Sequence, residues 1–101
     1  MSSDVEGMLG LCARARGLVS GAFAVEQGLK RGNVGLVLAD CSLSAASRRV
    51  FEAKCAHARI RIAYIEPEGA LGCAIGKVDI KLVGIVHKSF LNRVLELMER
   101  A

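Results

Sequence analysis

Aromatic side chains are scarce in this sequence, which has no tryptophan, one tyrosine and three phenylalanines among its 101 residues. Domains that bind single-stranded nucleic acid by stacking its bases need several exposed aromatic side chains. The composition therefore argues against that class of domain. It leaves open recognition of nucleic acid through backbone groups and charge.

Long apolar runs and blocks of like charge are also absent. No segment approaches the ~18 apolar residues that a membrane-spanning helix needs, and the N-terminal residues do not resemble a signal peptide. No block of five or more like charges indicates a disordered arm. We therefore expect a cytoplasmic protein with no membrane partner.

Motifs that would hold a metal or a redox centre are missing as well. The four cysteines, Cys12, Cys41, Cys55 and Cys73, form no C-x-x-C pair, and no histidine pair has zinc-ligand spacing. Each cysteine lies in an apolar or small-residue run, which favours buried free thiols over metal or redox roles. No cofactor is expected.

The composition that is present indicates one apolar and mildly basic domain. A length of 101 residues suits a single domain over residues 1–101, and the 52% of hydrophobic residues is enough for a packed core. The net charge is +4 and the isoelectric point is about 9.1. This bias is compatible with a nucleic-acid partner, but it is also common in ordinary soluble domains.

Apolar segments predict strands at residues 18–20, 35–39, 60–65 and 80–86, and helical periodicity fills the intervals between them. Alternating helices and strands predict an α/β fold with a parallel or mixed sheet and helices on both faces. The run at 35–39 is apolar throughout, so it predicts a strand that is covered on both sides.

Serine residues stand where three of the helices are predicted to begin. Ser20 is predicted to cap the second helix, either Ser42 or Ser44 the third, and Ser89 the last. Pro67 suits the first turn of a short helix over residues 67–75. The predicted inward-facing residues are Ala22, Val25 and Leu29 in the second helix, Ala46, Val50 and Ala53 in the third, and Leu91, Val94, Leu95 and Met98 in the last.

The stretch LGCAIGK at residues 71–77 has two glycines and a following lysine, so it invites comparison with phosphate-binding loops. A nucleotide-binding loop of the Walker type needs a glycine and a hydroxyl where this chain has Leu71 and Val78. A nucleotide cofactor is therefore not expected. A tight packing corner and an edge that docks RNA both stay open.

Residues that would support catalysis are few. His57 and His87 are the only histidines, and no serine lies in a G-x-S-x-G elbow. Glu66 and Glu68 flank Pro67 and suit the start of a helix electrostatically. The sequence therefore predicts a protein that is not an enzyme.

Two turns have little side-chain bulk and free backbone donors, which suits contact with a folded RNA. One is Ser20–Gly21 at the start of the second helix, and the other spans residues 75–78 before the last strand. Arg14 and Arg16 close the first helix beside the Ser20 turn.

The run LGLCARARGLVSGAFAVEQGLKRGNVGLVLAD, followed by LGCAIGK, an apolar strand and a C-terminal helix, resembles a known family. It is similar to the kink-turn-binding ribosomal proteins (the L-seven-Ae group), and most of all to their small bacterial YlxQ-like branch. The match extends from about Met8 to Leu97. The resemblance implies a three-layer α/β/α sandwich with a four-stranded mixed sheet.

The resemblance also implies binding of structured RNA at a kink-turn, with ribosomal RNA as one candidate. The start of the second helix would lie on the RNA backbone, and the loop before the last strand would cover a flipped-out base. The residues carried over by position are Ser20, Gly21 and Ala22 at the helix start, and Ile75, Gly76, Lys77 and Val78 in the covering loop.

One part of the family pattern is different in this chain. Kink-turn binders place Asn-Glu, and a lysine one turn later, where this chain has Phe23, Ala24 and Gln27. Gln27 is able to hydrogen-bond a base and Phe23 to stack on one. An alternative therefore stays open. In it, the domain has the same fold but binds another protein, and its RNA site has decayed. The identity of the RNA and the oligomeric state also stay open.

Overall fold

The structure is a computed structural model that describes residues 3–100, with side chains described for residues 4–99. Helices and strands alternate in this part of the chain in the predicted order. The elements are α1 Ser3–Arg14, β1 Leu18–Ser20, α2 Ala22–Arg31, β2 Leu36–Asp40, α3 Ala45–Ala58, β3 Ile62–Ile65, α4 Ala70–Ile75, β4 Leu82–Ile85 and α5 Lys88–Arg100.

The four strands form one mixed sheet, as the resemblance implies, and their order in it is β1-β4-β2-β3. Strand β4 runs antiparallel to both β1 and β2, whereas β2 and β3 are parallel. Consequently β1, β2 and β3 all finish at the end of the sheet where β4 begins. This end, marked by Ser20, Asp40, Ile65 and Leu82, is called the Ser20 end below.

Helices cover both faces of the sheet, which confirms the predicted α/β/α sandwich. Helices α1, α4 and α5 pack on one face against Leu36, Leu38, Val83 and Ile85. Helices α2 and α3 pack on the other face against residues that alternate with these, including Val37. All of β2 is buried, as its uninterrupted apolar run predicts.

Helix α2 begins one residue later than predicted. Its N-cap is Gly21, with φ 93° and ψ 154°, and no side chain caps it. Ser20 belongs to β1, so its prediction as the cap was wrong. Val25 and Leu29 are buried as expected, but Ala22 is exposed because it lies at the open first turn.

Helix α3 has Ser44 as its N-cap, whose hydroxyl accepts a hydrogen bond from the Ser47 N–H at 3.2 Å. The predicted inward stripe was wrong, because Ala46, Val50 and Ala53 are exposed. Phe51 and Cys55 are buried instead. The helix turns its largest apolar side chain, Phe51, toward the sheet, and this ring buries more apolar area than any side chain of the predicted stripe would.

Two further predictions need correction, and a third is confirmed. Helix α4 begins at Ala70 and not at Pro67, because Gly69 has a left-handed backbone (φ 86°) that interrupts the helix. Ser89 lies inside α5, where its hydroxyl is 2.9 Å from His87 Nδ1 and does not cap the helix. The predicted stripe of α5 packs on the core.

The cysteines are only partly as expected. Cys12 and Cys55 are buried, and burial raises the pKa of the Cys12 thiol to about 11. Cys41 is half-buried and Cys73 is exposed, so the prediction of burial was wrong for Cys73. Cys73 lies on the outer side of α4, which turns Leu71, Gly72 and Ile75 inward.

One buried carboxylate joins the loops at the Ser20 end. The Asp40 side chain is 1% exposed and accepts hydrogen bonds from the Ser42 N–H (3.0 Å), the Ser42 hydroxyl and the Gly69 N–H (2.8 Å). Burial by itself raises the pKa of this carboxyl. The hydrogen bonds and the charge of Lys81 outweigh burial, so the pKa is lowered overall.

Replacing Asp40 by asparagine should destabilise the fold in a pH-dependent way. Because the folded-state pKa is below the ordinary value of about 4, the charged carboxylate stabilises the fold above that pH, and this contribution is lost as the pH falls through the folded-state pKa. We expect a loss of roughly 1–3 kcal/mol at pH 7 and a smaller difference near pH 3, measured by urea unfolding.

The matched control is Asp79→Asn, because Asp79 is an exposed aspartate on the same side of the molecule. It should change the free energy of unfolding little at either pH. If Asp40→Asn lowered the free energy of unfolding by the same amount at both pH values, the charge of Asp40 would not have the role given to it here.

Candidate nucleic-acid interface

The first corner of the candidate interface is the turn from β1 into α2. The Gly21 N–H donates to the Leu82 carbonyl at 2.8 Å, which holds the turn against the start of β4. The φ of 93° is one that L-residues rarely adopt, so glycine is required here. The helix that follows presents an uncapped N-terminus at the surface, with Ala22 and Phe23 exposed.

The second corner is the turn from α4 to β4, which contains the end of LGCAIGK. Gly76 ends α4 with a left-handed backbone of φ 73°, and the Lys77 N–H donates to the Gly72 carbonyl at 2.9 Å. A Cβ atom on Gly72 would lie 2.6 Å from the Lys77 carbonyl oxygen and 2.8 Å from that of Val78. Gly72 therefore makes room for the loop, and Gly76 supplies its conformation.

The structure brings the two corners together although they are distant in the sequence. The Lys77 Nζ donates to the Ser20 hydroxyl at 3.2 Å. Ser20 pairs with Val83 across the β1–β4 ladder, and the Gly21 Cβ position lies 3.9 Å from Ile80 Cδ1. Both turns therefore belong to one surface at the Ser20 end.

Two large apolar side chains project from this surface without cover. Phe23 is 77% exposed and Val78 is 80% exposed, the largest values among the exposed hydrophobic residues. The side chain of Ile75, by contrast, is buried in the core, so only its backbone belongs to the corner. Gln27 is half-buried one turn further along α2.

Arg16 lies just before β1, at the end of that strand opposite Ser20. It follows α1 with a left-handed backbone of φ 59°, and its side chain is exposed. Together with Ser20, Gly76 and Lys77 it lines one groove on the α1 and α4 side of the sheet. Eight of the ten predicted site residues therefore lie at the Ser20 end, while Gln27 is one turn further along α2 than Phe23, and Arg16 reaches the corners only through the groove. Arg14 and Cys73 line the same groove and were not among the predicted residues.

The remaining described residues include one exposed histidine with neighbours on α5. His87 contacts Ser89 and lies edge-on to Phe90, with 5.5 Å between the ring centroids. Among the described side chains, no group of three or more His, Cys, Asp or Glu is placed to hold a metal ion. No described helix is both long and apolar enough to span a bilayer.

A second cavity lies between α2 and α3. It has a volume of about 420 Å³ and is mostly apolar, with Leu29 and Ala53 in its lining. Glu26 at its edge is bridged by Lys54 (3.2 Å) and Lys30 (3.4 Å), and these contacts lower the pKa of the Glu26 carboxyl.

Comparison with known proteins gives the chain relatives over nearly its whole length. No model of a protein family matches it. It is 28% identical over 92 residues to the RNA-binding protein YlxQ of Bacillus subtilis, a match that covers 91% of this chain and 92% of YlxQ. This likeness confirms the resemblance to the YlxQ-like branch.

Solved structures agree on the fold. A protein of unknown function from Bacillus halodurans C superposes with a TM-score of 0.89 and 26% identity, and the match covers 97% of this chain and 99% of the other. The Giardia lamblia 15.5kD RNA binding protein superposes with a TM-score of 0.76 and 20% identity, covering 96% of this chain and 83% of the other. The second likeness shows the shared fold.

Replacing Gly72 by alanine should destabilise the protein by roughly 1–3 kcal/mol, because the added methyl group cannot fit beside the backbone of residues 77 and 78. Gly7→Ala is the matched control, since a Cβ at Gly7 meets nothing within 4 Å and the residue lies in α1. Alanine there should stabilise the helix by up to about 1 kcal/mol. Urea unfolding measures both, and equal effects would refute the packing argument.

Proposed function

Because this chain resembles the YlxQ-like branch of the kink-turn-binding family, we propose that it is a non-enzymatic protein that binds structured RNA. The proposal depends on one observation, the hydrogen bond from Lys77 Nζ to Ser20 Oγ. This contact joins the two glycine-containing turns into one surface. The proposal treats residues 1–101 as one RNA-binding unit that acts in the cytoplasm, in association with ribosomal or other folded RNA.

The start of α2 suits contact with a phosphate. The first N–H groups of a helix point outward and carry a partial positive charge, so they attract anions. Here no side chain caps them, and Gly21 and Ala22 leave the approach open. We therefore propose that Ser20, Gly21 and Ala22 lie on the RNA backbone.

The loop at residues 75–78 suits contact with a base and with a second phosphate. Val78 offers an exposed apolar surface, and Lys77 adds a cation that Ser20 orients. Gly76 leaves the loop backbone accessible. We propose that this loop covers an unstacked base, while Lys77 and Arg16 contact phosphates.

The replacement of the family's polar residues bears on which RNA is bound. Asparagine, glutamate and lysine read polar base edges and phosphate, and each such base contact contributes about 1–3 kcal/mol of discrimination. Phe23 and Ala24 cannot make those contacts. Phe23 presents an exposed ring beside Gln27, which suggests that the RNA is a bent, kink-turn-like helix read by stacking more than by hydrogen bonds.

The alternative is a module that binds another protein on the same fold. The apolar cavity between α2 and α3 favours it, since apolar grooves between helices commonly accept partner segments. Affinity purification before and after nuclease treatment separates the two functions. The alternative would be favoured if the same protein partners were recovered after nuclease treatment and no RNA were recovered before it.

We expect the protein to bind a fluorescently labelled kink-turn hairpin with a log–log salt slope of about −3 to −5, if it touches ~4–6 phosphates. A hairpin of equal length without the bulge is the comparison RNA, and anisotropy titrations at several salt concentrations give the slopes. Lys77→Glu should reduce the slope by about 1, and Arg49→Glu, an equal charge change on α3, should not. The proposal would be refuted if the protein showed no salt-sensitive binding to either hairpin.

Phe23→Ala should weaken binding of the bulged hairpin about 5- to 150-fold, which is the range for loss of one stacked base. Phe23→Trp should retain the affinity because it keeps a flat ring, whereas Phe23→Leu should behave like the alanine variant. Val50→Ala, at another exposed apolar residue, serves as the control. Equal affinities for the leucine and tryptophan variants would show that stacking is not involved.

A further inference from the structure

A groove adjoins the two corners and extends away from them between α1, β1 and α4. Its volume is about 600 Å³, and it is open to solvent along one side. It shares Ser20, Gly76 and Lys77 with the corners. The other lining residues are Gly10, Ala13, Arg14, Arg16, Leu18, Cys73, Ala74 and Ile75.

The floor of the groove has very little side-chain bulk. Gly10 of α1 faces Ala74 of α4, because a Cβ atom on Gly10 would lie only 3.2 Å from the Ala74 carbonyl oxygen, and Ala13 also lines the groove. The two helices therefore approach each other closely at this point. A ligand backbone is able to come near both of them.

The walls of the groove are positively charged. Arg14, Arg16 and Lys77 line it, and none of its described lining residues is acidic. None of the three cations takes part in an ion pair among the described side chains. Arg14 Nη1 lies 4.0 Å from the Gly10 Cβ position, so the guanidinium folds back over the glycine. Unpaired cations in one groove attract a polyanion.

The opposite side of the Ser20 end carries charges of both signs. Asp40, Glu66 and Glu68 lie around Cys41, and after burial their charges are the main cause that raises the pKa of its thiol. Arg48 donates to the Cys41 carbonyl at 3.0 Å, and the charge of Lys81 acts on Asp40. This side therefore has cations beside its carboxylates, whereas the charged residues among the described lining of the groove are all cations.

We propose that this groove holds the sugar–phosphate backbone of the RNA strand that continues past the Ser20–Lys77 contact, with Arg14 as a further phosphate-binding residue. The inference rests on the proposed function. A strand fits better than a free nucleotide, because the groove is open, lacks a polar pocket for a base and continues into the corners.

The first test compares Arg14→Glu with Arg49→Glu on the labelled kink-turn hairpin. Arg14→Glu should weaken binding about tenfold or more and reduce the salt slope by about 1, whereas Arg49→Glu should leave the slope unchanged. Arg14→Lys should keep most of the affinity, because it retains the charge. Both glutamate variants are at exposed positions, and urea unfolding checks that they remain folded.

The second test uses the exposed thiol of Cys73 as a reporter inside the groove. Bound hairpin should slow alkylation of Cys73 by iodoacetamide at least severalfold, as followed by mass spectrometry. The same RNA added to Lys77→Glu, at a concentration too low for that variant to bind, should give no protection. Inorganic phosphate at matched ionic strength should also give none.

The outcomes separate this inference from the proposed function. If the wild-type protein binds neither hairpin, the proposed function fails and the groove loses its basis. A second outcome is that the hairpin binds and Lys77→Glu weakens its binding, while Arg14→Glu binds it as tightly as Arg49→Glu does and bound RNA does not slow alkylation of Cys73. In that case the proposed function stands, and only the assignment of the groove is wrong. If inorganic phosphate protected Cys73 from alkylation as well as RNA does, the groove would be a small-anion site and the proposal of an RNA strand would be wrong.

Discussion

The candidate interface depends on the pairing of β1 with β4. Strand β1 is only three residues long, yet its ladder to β4 and the Gly21–Leu82 hydrogen bond place the start of α2 against the loop that leaves α4. Without this pairing, residues 20 and 77 would have no reason to meet. Lys77 and Ser20 then join the two turns through their side chains. A short edge strand thus determines the geometry of a surface much larger than itself.

The fold was largely predictable because its signals are local. The uninterrupted apolar run of β2 and the alternation of helices and strands both depend on residues close in the sequence. The predictions were wrong where tertiary contacts, and not local sequence, decide which face of a helix is buried or where a helix begins. In α3 the sheet selected Phe51 and Cys55, although the spacing of the alanines suggested a different stripe. At α4 a left-handed Gly69, tied to Asp40, displaced the predicted helix start.

The site was predictable only in part, for a similar reason. Glycine-rich turns and a following lysine are visible in the sequence, so both corners were found. Their contact spans 57 residues, and periodicity carries no information about such a distance. Arg14 and Cys73 were missed as groove residues because only the close packing of α1 on α4 places them beside Lys77. The exposure of Phe23 likewise follows from the open first turn of α2 and not from its residue type.

The tight fit at Gly72 has a consequence for how this surface meets a partner. Because the backbone of residues 77 and 78 lies directly on that glycine, the loop has little freedom to move inward. An RNA that binds this surface as proposed would therefore have to adapt its own shape to the loop. Molecules that already have the complementary curvature, or that bend readily, gain an advantage over stiff ones that carry the same charge.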